Sequence, residues 1–128
     1  MPLTETKKKY LLTIALLNAA PAAPFRPIDL AVKLGVSRAS VSRMLFEFIK
    51  EGLVVQKEHS YQLSHQGLKI IADSLHHYHQ YYAFYAQTLG LNKYDAHECC
   101  ISMLCSLNQQ TIEHLSNQLS NHLKQKAA

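Results

Sequence analysis

The stretch AHECCISMLC, from Ala96 to Cys105, places all three cysteines of this 128-residue chain within a few turns of a predicted helix, together with a histidine and a glutamate. Thiolate and imidazole groups are ligands for zinc, copper(I) and iron, and exposed thiolates can also be oxidised. A third interpretation is an apolar helix face, because free cysteine behaves as a small buried hydrophobe. A metal site, a thiol switch and ordinary core are therefore all open interpretations of these residues.

The composition, 48% hydrophobic and 17% charged, is typical of one globular domain or of a small domain with a dimerisation appendage. An odd number of cysteines, two of them adjacent, does not favour a disulfide framework, so we expect a cytoplasmic protein with reduced thiols. The start of the chain, TKKKYLLTIALLNAAPAAP, has the parts of a secretory signal. However, Tyr10, Leu11 and Ile14 recur at helical spacing, which favours a first helix, and the run is too short to span a membrane.

Charge divides the chain into two parts with different expected roles. Residues 1–69 carry ten Lys or Arg and five Asp or Glu, a net charge of +5, whereas residues 70–128 carry three and four, a net charge of −1. Six of the eight histidines lie in the second part. The basic part is therefore the candidate nucleic-acid surface.

The segment RPIDLAVKLGVSRASVSRMLFEFIKEGLV, which begins at Arg26, predicts a helix-turn-helix. Pro27 suits the first turn of a helix, Gly35 the tight turn, and Ser37 the N-cap of the second helix. Arginine can hydrogen-bond guanine O6 and N7 or contact phosphate, and short serines let the backbone approach, so this second helix is expected to read the major groove. The residues predicted to contact DNA from this segment are Arg26, Ser37, Arg38, Ser40, Ser42 and Arg43.

The apolar residues of the same segment predict which sides of the helices pack inward. Val36 is expected to pack beneath the turn at Gly35. The residues of the second helix that we expect to face the core are Val41, Leu45, Phe48 and Ile49.

Two short strand-like runs follow, Leu53 to Gln56 and Tyr61 to Leu63, around a polar tip that starts at Lys57 and ends at Ser60. A helix-turn-helix followed by such a hairpin predicts a winged helix, in which Lys57 contacts phosphate or the minor groove. We therefore expect a mainly α fold: a winged helix-turn-helix DNA-binding domain with a small β-hairpin wing over residues 1–64, then a helical dimerisation region over residues 65–128.

The helical region is predicted to contain two helices whose apolar faces are larger than a small winged domain can cover. One runs from Gly67 to Leu89, and the other, from Gln109 to Lys124, carries a narrow leucine seam. A symmetric partner is the simplest cover, so we expect a homodimer. The residues predicted at its interface are Tyr82, Tyr85, Ile112, Leu115 and Leu119.

In the order and spacing of its motifs, from about Tyr10 to Leu115, the chain resembles the DtxR/MntR family, the metal-dependent repressors named after the diphtheria-toxin and manganese repressors. The matching motifs are YLLTIALL, LAVKLGVSRASVSRML, GLV entering the wing, LSHQG leaving it, LGL, and LNQQTIEHL opening the last helix. The resemblance implies a homodimer that grips the two half-sites of a palindromic operator in double-stranded DNA, with the C-terminal helices forming the dimer interface and the metal site.

Most of the metal ligands that the resemblance implies are not matched. The acidic ligands of the family's first helix align with Lys9 and Leu12, and its Glu-x-x-Glu-His run falls on Ile101, Leu104 and Cys105. The family implies a ligand at His79, and Cys105 would replace a histidine; His97 lies near an accessory ligand position. We therefore expect no carboxylate-rich manganese or iron(II) site, and name His79 and Cys105 as candidate ligands for a transition metal, zinc or iron.

Two further interpretations concern the sulfur and aromatic residues. A thiol switch would need a lowered thiol pKa, but adjacent Cys99 and Cys100 pair poorly, and no neighbouring Lys or Arg is visible in the sequence. The core interpretation places Cys99, Cys100, Met103 and Leu107 on one apolar stripe. The segment YHQYYAFYAQ could line a small-molecule pocket, although a tyrosine-rich core or interface is more common.

No glycine-rich phosphate loop and no catalytic arrangement of acids is evident, so we expect no enzyme. The sequence predicts a homodimeric DNA-binding transcriptional regulator of DtxR/MntR-like type, a repressor by resemblance, with absent or altered metal dependence. The competing interpretations are a winged-helix protein-interaction module that does not bind DNA, and a repressor that senses a metal or an oxidant through His and Cys.

Overall fold

The structure is a computed structural model that describes the backbone of residues 3–127 and the side chains of residues 3–125. Its elements, in chain order, are α1 (Glu5–Leu16), α2 (Pro27–Leu34), α3 (Arg38–Lys50), β1 (Val54–Lys57), β2 (Ser60–Leu63), α4 (His65–Ala83), a π-helical turn (Phe84–Thr88), α5 (Lys93–Ser106) and α6 (Gln109–Ala127). The two strands pair as one antiparallel hairpin after the third helix. The predicted fold class, a winged helix followed by a helical region, is confirmed.

The contacts of the chain group into two units, the first ending at Ala72 and the second beginning at Asp73. The first unit holds α1 to α3, the wing and the start of α4; the second holds the rest of α4, the π-helical turn, α5 and α6. The predicted domain boundary between residues 64 and 65 lies at the start of α4 and stays a prediction.

The second half of helix α1 is buried on all of its sides in the first unit. The Thr4 hydroxyl caps it by accepting from the Lys7 amide at 3.1 Å. Every residue from Tyr10 to Ala15 is buried, including Thr13, whose hydroxyl donates to the Lys9 carbonyl at 2.7 Å. A helix without a polar face belongs in the middle of a fold. The first helix predicted from the apolar spacing is therefore present, and it is a central element rather than an amphipathic one.

The wing is closed by a two-residue turn and extended by a third piece of chain. Lys57 and Ser60 form the last residue pair of the hairpin. The tip predicted to span four residues therefore contains only two unpaired residues, Glu58 and His59. Glu58 adopts the left-handed region, with φ 51°. On the other edge, Phe25 and Tyr61 exchange two backbone hydrogen bonds of 2.8 and 2.9 Å. These bonds tie the wing to the segment that leads into α2.

The exit from the wing is held tightly against its entrance. The Ser64 hydroxyl donates to the Gly52 carbonyl at 2.6 Å and accepts from the Gly67 amide at 3.0 Å. A Cβ at Gly67 would lie 2.1 Å from the Leu53 carbonyl oxygen, closer than any side chain permits. Only glycine therefore lets the first turn of α4 approach Leu53, the residue before β1, this closely.

The second unit has a core of aromatic and aliphatic side chains. Its buried members are Tyr78, Tyr81, Ala96, Cys100, Ile101, Leu104 and Ile112. The Tyr81 hydroxyl donates to the Ile112 carbonyl, and the Gln80 amide nitrogen donates to the Ser116 carbonyl at 2.9 Å. Buried polar groups are costly unless they are hydrogen-bonded. These two hydrogen bonds satisfy the polar groups of Tyr81 and Gln80 and join α4 to α6.

The helix predicted from Gly67 to Leu89 differs from the observed one at both ends. It begins earlier, at His65, and its α-helical part ends at Ala83. The following turn is π-helical: the Leu89 amide bonds to the Phe84 carbonyl, five residues earlier, at 3.1 Å. A π-helical turn fits one more residue into the turn than an α-helix does. The 3.6-residue period used for the prediction therefore fails over these residues.

Candidate nucleic-acid interface

The outward side of α3 carries a continuous stripe of exposed side chains. Its opposite side packs into the first unit through Val41, Leu45 and Phe48, each at most 2% exposed. Residues three or four apart share a helix face, so the exposed stripe is the complement of the buried one. We call the stripe the reading face; its members, all exposed, are Arg38, Ala39, Ser42, Arg43, Phe46 and Lys50.

The start of α3 is fixed by the turn and the cap that the sequence predicts. Gly35 ends α2 in the left-handed conformation, with φ 68°. The Ser37 hydroxyl then caps α3, accepting from the Ser40 amide at 3.1 Å and donating to the Ser40 hydroxyl at 3.0 Å. Ser40 is half-buried, whereas Ser42 is exposed on the reading face. The turn and the cap together set the direction in which Arg38 leaves the protein.

Two residues expected to face the core are exposed instead, and one exposed residue was not predicted. Ile49 and Val36 are each 38% exposed. Ile49 follows Phe48 directly, so it is turned by about 100° from the buried stripe. Phe46 is 64% exposed in the middle of the reading face. Phe46 lies seven residues, about two helical turns, after Ala39, so the helical period places both residues on the same exposed side.

Two carboxylates at the C-terminal end of α3 are paired with a cation from α1. The Lys7 ammonium nitrogen lies 2.5 Å from Glu51 Oε1 and 3.6 Å from Glu47 Oε2. The hydrogen bond with Glu51 raises the pKa of Lys7, so its positive charge is kept at neutral pH. The single Lys7 cation offsets one of the two carboxylates, so this end of α3 keeps one net negative charge beside the three cations of the reading face, Arg38, Arg43 and Lys50.

The two predicted DNA contacts that lie away from α3 and its N-cap are both exposed. The Arg26 guanidinium, 70% exposed, donates to both carboxylate oxygens of Asp29, at 3.1 and 3.3 Å. An exposed pair of this kind contributes about 0–1 kcal/mol, so it can be exchanged for a phosphate contact. Lys57 is exposed at the end of β1, next to Glu58. Their contacts with DNA stay predictions.

The segment Ala96 to Cys105 lies on α5, and its buried side differs from the predicted stripe. Cys100, Ile101 and Leu104 are at most 6% exposed, and they pack in the core of the second unit with Ala96. Cys99 and Met103 are only half-buried, and Leu107 is 37% exposed. The predicted stripe of Cys99, Cys100, Met103 and Leu107 is therefore wrong except for Cys100, because the spacing of four from Ala96 through Leu104 defines the buried face.

Cys100 has the chemistry of a core residue. Its thiol is fully buried and lies 3.9 Å from the Tyr78 carbonyl, to which it donates. Burial raises the pKa of Cys100 to about 12, so it stays protonated at neutral pH. A protonated thiol is neither a nucleophile nor a metal ligand. In the described part of the chain, no disulfide involves the three cysteines.

The candidate metal ligands lie in different environments. His79 is exposed, and its ring stands edge-on to that of Tyr78, with centroids 5.7 Å apart. Cys105 is half-buried. His97 Nδ1 lies 2.6 Å from the Tyr78 hydroxyl, so this nitrogen is occupied by a hydrogen bond. Within the residues that the structure describes, no three His, Cys, Asp or Glu side chains form a group that could hold a metal ion.

The positions aligned with the family's acidic ligands are occupied by side chains that do not fit a metal. Leu12, Ile101 and Leu104 are buried apolar residues, at most 6% exposed, and Lys9 is an exposed cation. Manganese and iron(II) prefer oxygen or imidazole ligands, and none of these four side chains supplies either. The residues present therefore do not fit the carboxylate site that the resemblance implies.

The predicted dimer residues range from buried to exposed. Ile112 is 1% exposed and belongs to the core of its own unit, whereas Leu115 is 38% exposed. Tyr82, Tyr85 and Leu119 are half-buried; Tyr82 stacks on Tyr78, and the Tyr85 hydroxyl donates to Met103 Sδ at 3.6 Å. Further exposed apolar residues of the second unit are Leu89, Tyr94, Leu107 and Leu123.

The first half of the chain matches a known family. Residues 2–60 match the model of the family described as "Iron dependent repressor, N-terminal DNA binding domain". This match spans the three helices, β1 and the turn of the wing, and it confirms the resemblance to the metal-dependent repressors over this part of the chain. The matched family consists of repressors rather than enzymes, in agreement with the class predicted from the sequence. The comparison with curated protein sequences gave no significant match.

Solved structures share the fold over most of the chain. IdeR of T. acidophilum matches with a TM-score of 0.70 at 16% identity, over 94% of this chain and 55% of that one. The metal-dependent transcriptional regulator MtsR matches at 0.66 and 22% identity, over 93% and 54%. A hypothetical protein from Sulfolobus solfataricus matches at 0.57 and 22% identity, over 93% and 91%. This chain thus spans about half the length of the two named regulators, and identities this low show a shared fold alone.

None of the helices between residues 3 and 127 combines the length and the apolar character that crossing a membrane requires.

The burial of Cys100 leads to a prediction about thiol reactivity. In a C99S/C105S variant, Cys100 is expected to resist iodoacetamide at pH 8 in the folded protein and to react fully in denaturant, since its pKa of about 12 leaves about one thiol in ten thousand ionised. Mass spectrometry of the intact protein measures the added mass. A C100S/C105S variant, which keeps the half-buried Cys99, is the matched control and should react faster. Complete labelling of folded Cys100 within the same time would contradict its burial.

Proposed function

We propose that this chain is a homodimeric, cytoplasmic transcriptional repressor that binds an operator in double-stranded DNA without the carboxylate-bound manganese or iron(II) of its relatives. The observation that carries the proposal is the reading face of α3, which displays three cations, while the exposed Glu47 beside them lies 3.6 Å from the Lys7 ammonium. Helix-turn-helix proteins place such a helix in the major groove. The match of residues 2–60 to a repressor DNA-binding domain supports the same role.

Each predicted DNA contact has a distinct role in this proposal. Arg38 and Arg43 bind guanine edges or phosphates, and Ser42 offers a short hydroxyl between them. Ser37 and Ser40 fix the start of α3 through their hydrogen bonds. The two remaining contacts, Arg26 at the start of α2 and Lys57 on the wing, bind phosphates on either side of the groove.

The proposed dimer is formed through the helices of the second unit. Leu115 and Leu123 are 38% and 50% exposed on α6, and Leu119 between them is half-buried. A row of partly exposed leucines on one helix is suited to pack against its symmetric copy. A two-fold dimer would present two reading faces, which fits an operator with two half-sites arranged as a palindrome.

The proposed loss of metal dependence follows from the side chains at the ligand positions. MtsR is described as metal-dependent. In this chain, Leu12, Ile101 and Leu104 are buried core residues, and replacing them with glutamates would bury charge at high cost. A remnant site at His79 and Cys105 for zinc or iron is the alternative, and it would need further ligands beyond these two.

A second candidate function is a protein-interaction module that does not bind DNA. Val32 on α2 is 74% exposed, so the helix-turn-helix also displays apolar surface away from the reading face. The two candidates differ in their response to salt. A DNA-binding protein loses affinity steeply as salt rises because counterions are released on binding, whereas a module of the second kind shows no DNA binding even at low salt.

The DNA-binding role predicts a specific effect of the two arginines. Arg38→Ala and Arg43→Ala are each expected to cost about 1–3 kcal/mol of binding to a duplex selected from a random library by the unmodified protein. Fluorescence anisotropy between 50 and 200 mM salt measures both the affinity and its salt slope. Lys69→Ala, which removes an exposed cation from α4, is the matched control and should bind as the unmodified protein does. Unchanged affinity in both arginine variants would contradict the assignment of the reading face.

The dimer predicts a different effect for a charge placed on each side of α6. Leu115→Asp is expected to convert the dimer to monomer at micromolar concentration, because it places a carboxylate in the apolar contact. Asn121→Asp, on the exposed polar side of the same helix, adds the same charge and should leave the dimer intact. Sedimentation equilibrium measures the mass of each variant. A Leu115→Asp protein that remains dimeric would refute this interface.

A further inference from the structure

The least expected member of the reading face is an aromatic ring. Phe46 is 64% exposed, with Arg43 three residues before it and Lys50 four residues after it. The Lys50 ammonium nitrogen lies over the ring, 5.4 Å from its centroid. A single exposed apolar side chain is ordinary on a protein surface. This one, however, stands in the centre of the positively charged stripe that faces DNA in the proposed function.

We propose that Phe46 is a specificity-determining residue that contacts the 5-methyl group of a thymine in the major groove. The proposal rests on the proposed function of α3 as the DNA-reading helix. The thymine methyl is the apolar group that base pairs present in this groove, and an aromatic ring packs against it without a hydrogen bond. The surrounding arginine and lysine side chains cannot detect the methyl group, because they bind hydrogen-bond acceptors and phosphates.

The position of Phe46 along α3 determines the orientation that the helix would need in the major groove. Eight residues separate it from Arg38, a distance of about 12 Å along the axis. Both side chains reach base edges only when the helix lies along the groove, which is about 12 Å wide and about 8.5 Å deep. Ala39 is on the same stripe and has only a methyl side chain, so the first turns of α3 can approach the bases closely. The stripe therefore permits contact along its length.

The charges around the ring favour a polyanion over an apolar protein partner. Arg43 and Lys50 flank Phe46, and the neighbouring Glu47 carboxylate lies 3.6 Å from the Lys7 ammonium. A protein partner that buried this ring would also have to desolvate the two cations or supply anions for them. DNA supplies anions at regular intervals on both sides of the groove. The two cations beside the ring therefore match the phosphates of DNA, and this favours the major groove as the binding partner of Phe46.

The test replaces thymine with uracil, which removes only the methyl group. The full-length protein first selects duplexes from a random-sequence library at 50 mM salt. Each thymine of the selected duplex is then replaced singly by deoxyuridine, and anisotropy measures the affinity of the unmodified protein and of Phe46→Ala. We expect one thymine in each half-site whose replacement weakens binding by the unmodified protein about fourfold, as the loss of one buried methyl predicts.

Three variants test whether Phe46 causes the weaker binding of the uracil duplex. Phe46→Ala should bind the thymine and uracil duplexes equally, whereas Val32→Ala, which alters an exposed apolar residue outside the reading face, should keep the fourfold difference. Circular dichroism checks that each variant is folded, and Phe46→Gln provides a second, more soluble substitution with the same expected loss of discrimination.

Two results would overturn the proposal and leave the proposed function standing. One is an unmodified protein that is insensitive to uracil at every thymine. The other is a Phe46→Ala protein that keeps the full uracil penalty, which would assign the ring to another partner. Failure of the library to enrich any duplex at 50 mM salt would overturn the proposed function, and the Phe46 contact with it.

Discussion

The burial of Val41, Leu45 and Phe48 in the first unit determines which side of α3 reaches solvent. Once these three side chains are packed, the rotation of the helix about its axis is fixed, and the reading face can point only outward. The cap at Ser37 fixes where the helix starts, and the ion pairs of Lys7 fix the charge at its other end. Recognition of DNA would thus depend first on apolar packing and only then on the exposed cations.

Apolar packing also fixes the rotation of α5, but there it turns the residues of interest inward. There the residues aligned with metal ligands, Ile101 and Leu104, are on the buried side with Cys100. A side chain cannot at once fill the core and coordinate an ion at a hydrated site. The second unit thus has core residues at the positions where the family resemblance implies metal ligands.

The features that the sequence predicts correctly are those with a local cause. Gly35 and Ser37 determine backbone geometry through their own chemistry, so the turn and the cap could be placed without knowledge of distant residues. Exposure depends on packing between distant segments, which is why Ile49 and Phe46 were misplaced or missed. The Lys7 and Glu51 pair joins residues 44 positions apart, and no pattern in the sequence indicates it.

In the proposed function, the reading face binds DNA without the carboxylate metal site that the family resemblance implies. The most direct measurement is the affinity of the purified chain for a selected duplex, as prepared, after chelation with EDTA, and with manganese(II) or anaerobic iron(II) added. We predict dissociation constants that agree within about twofold in all four conditions, because no ligand set for these ions is present at the aligned positions. Binding that is lost with EDTA and restored by manganese or iron(II) would contradict metal-independent binding.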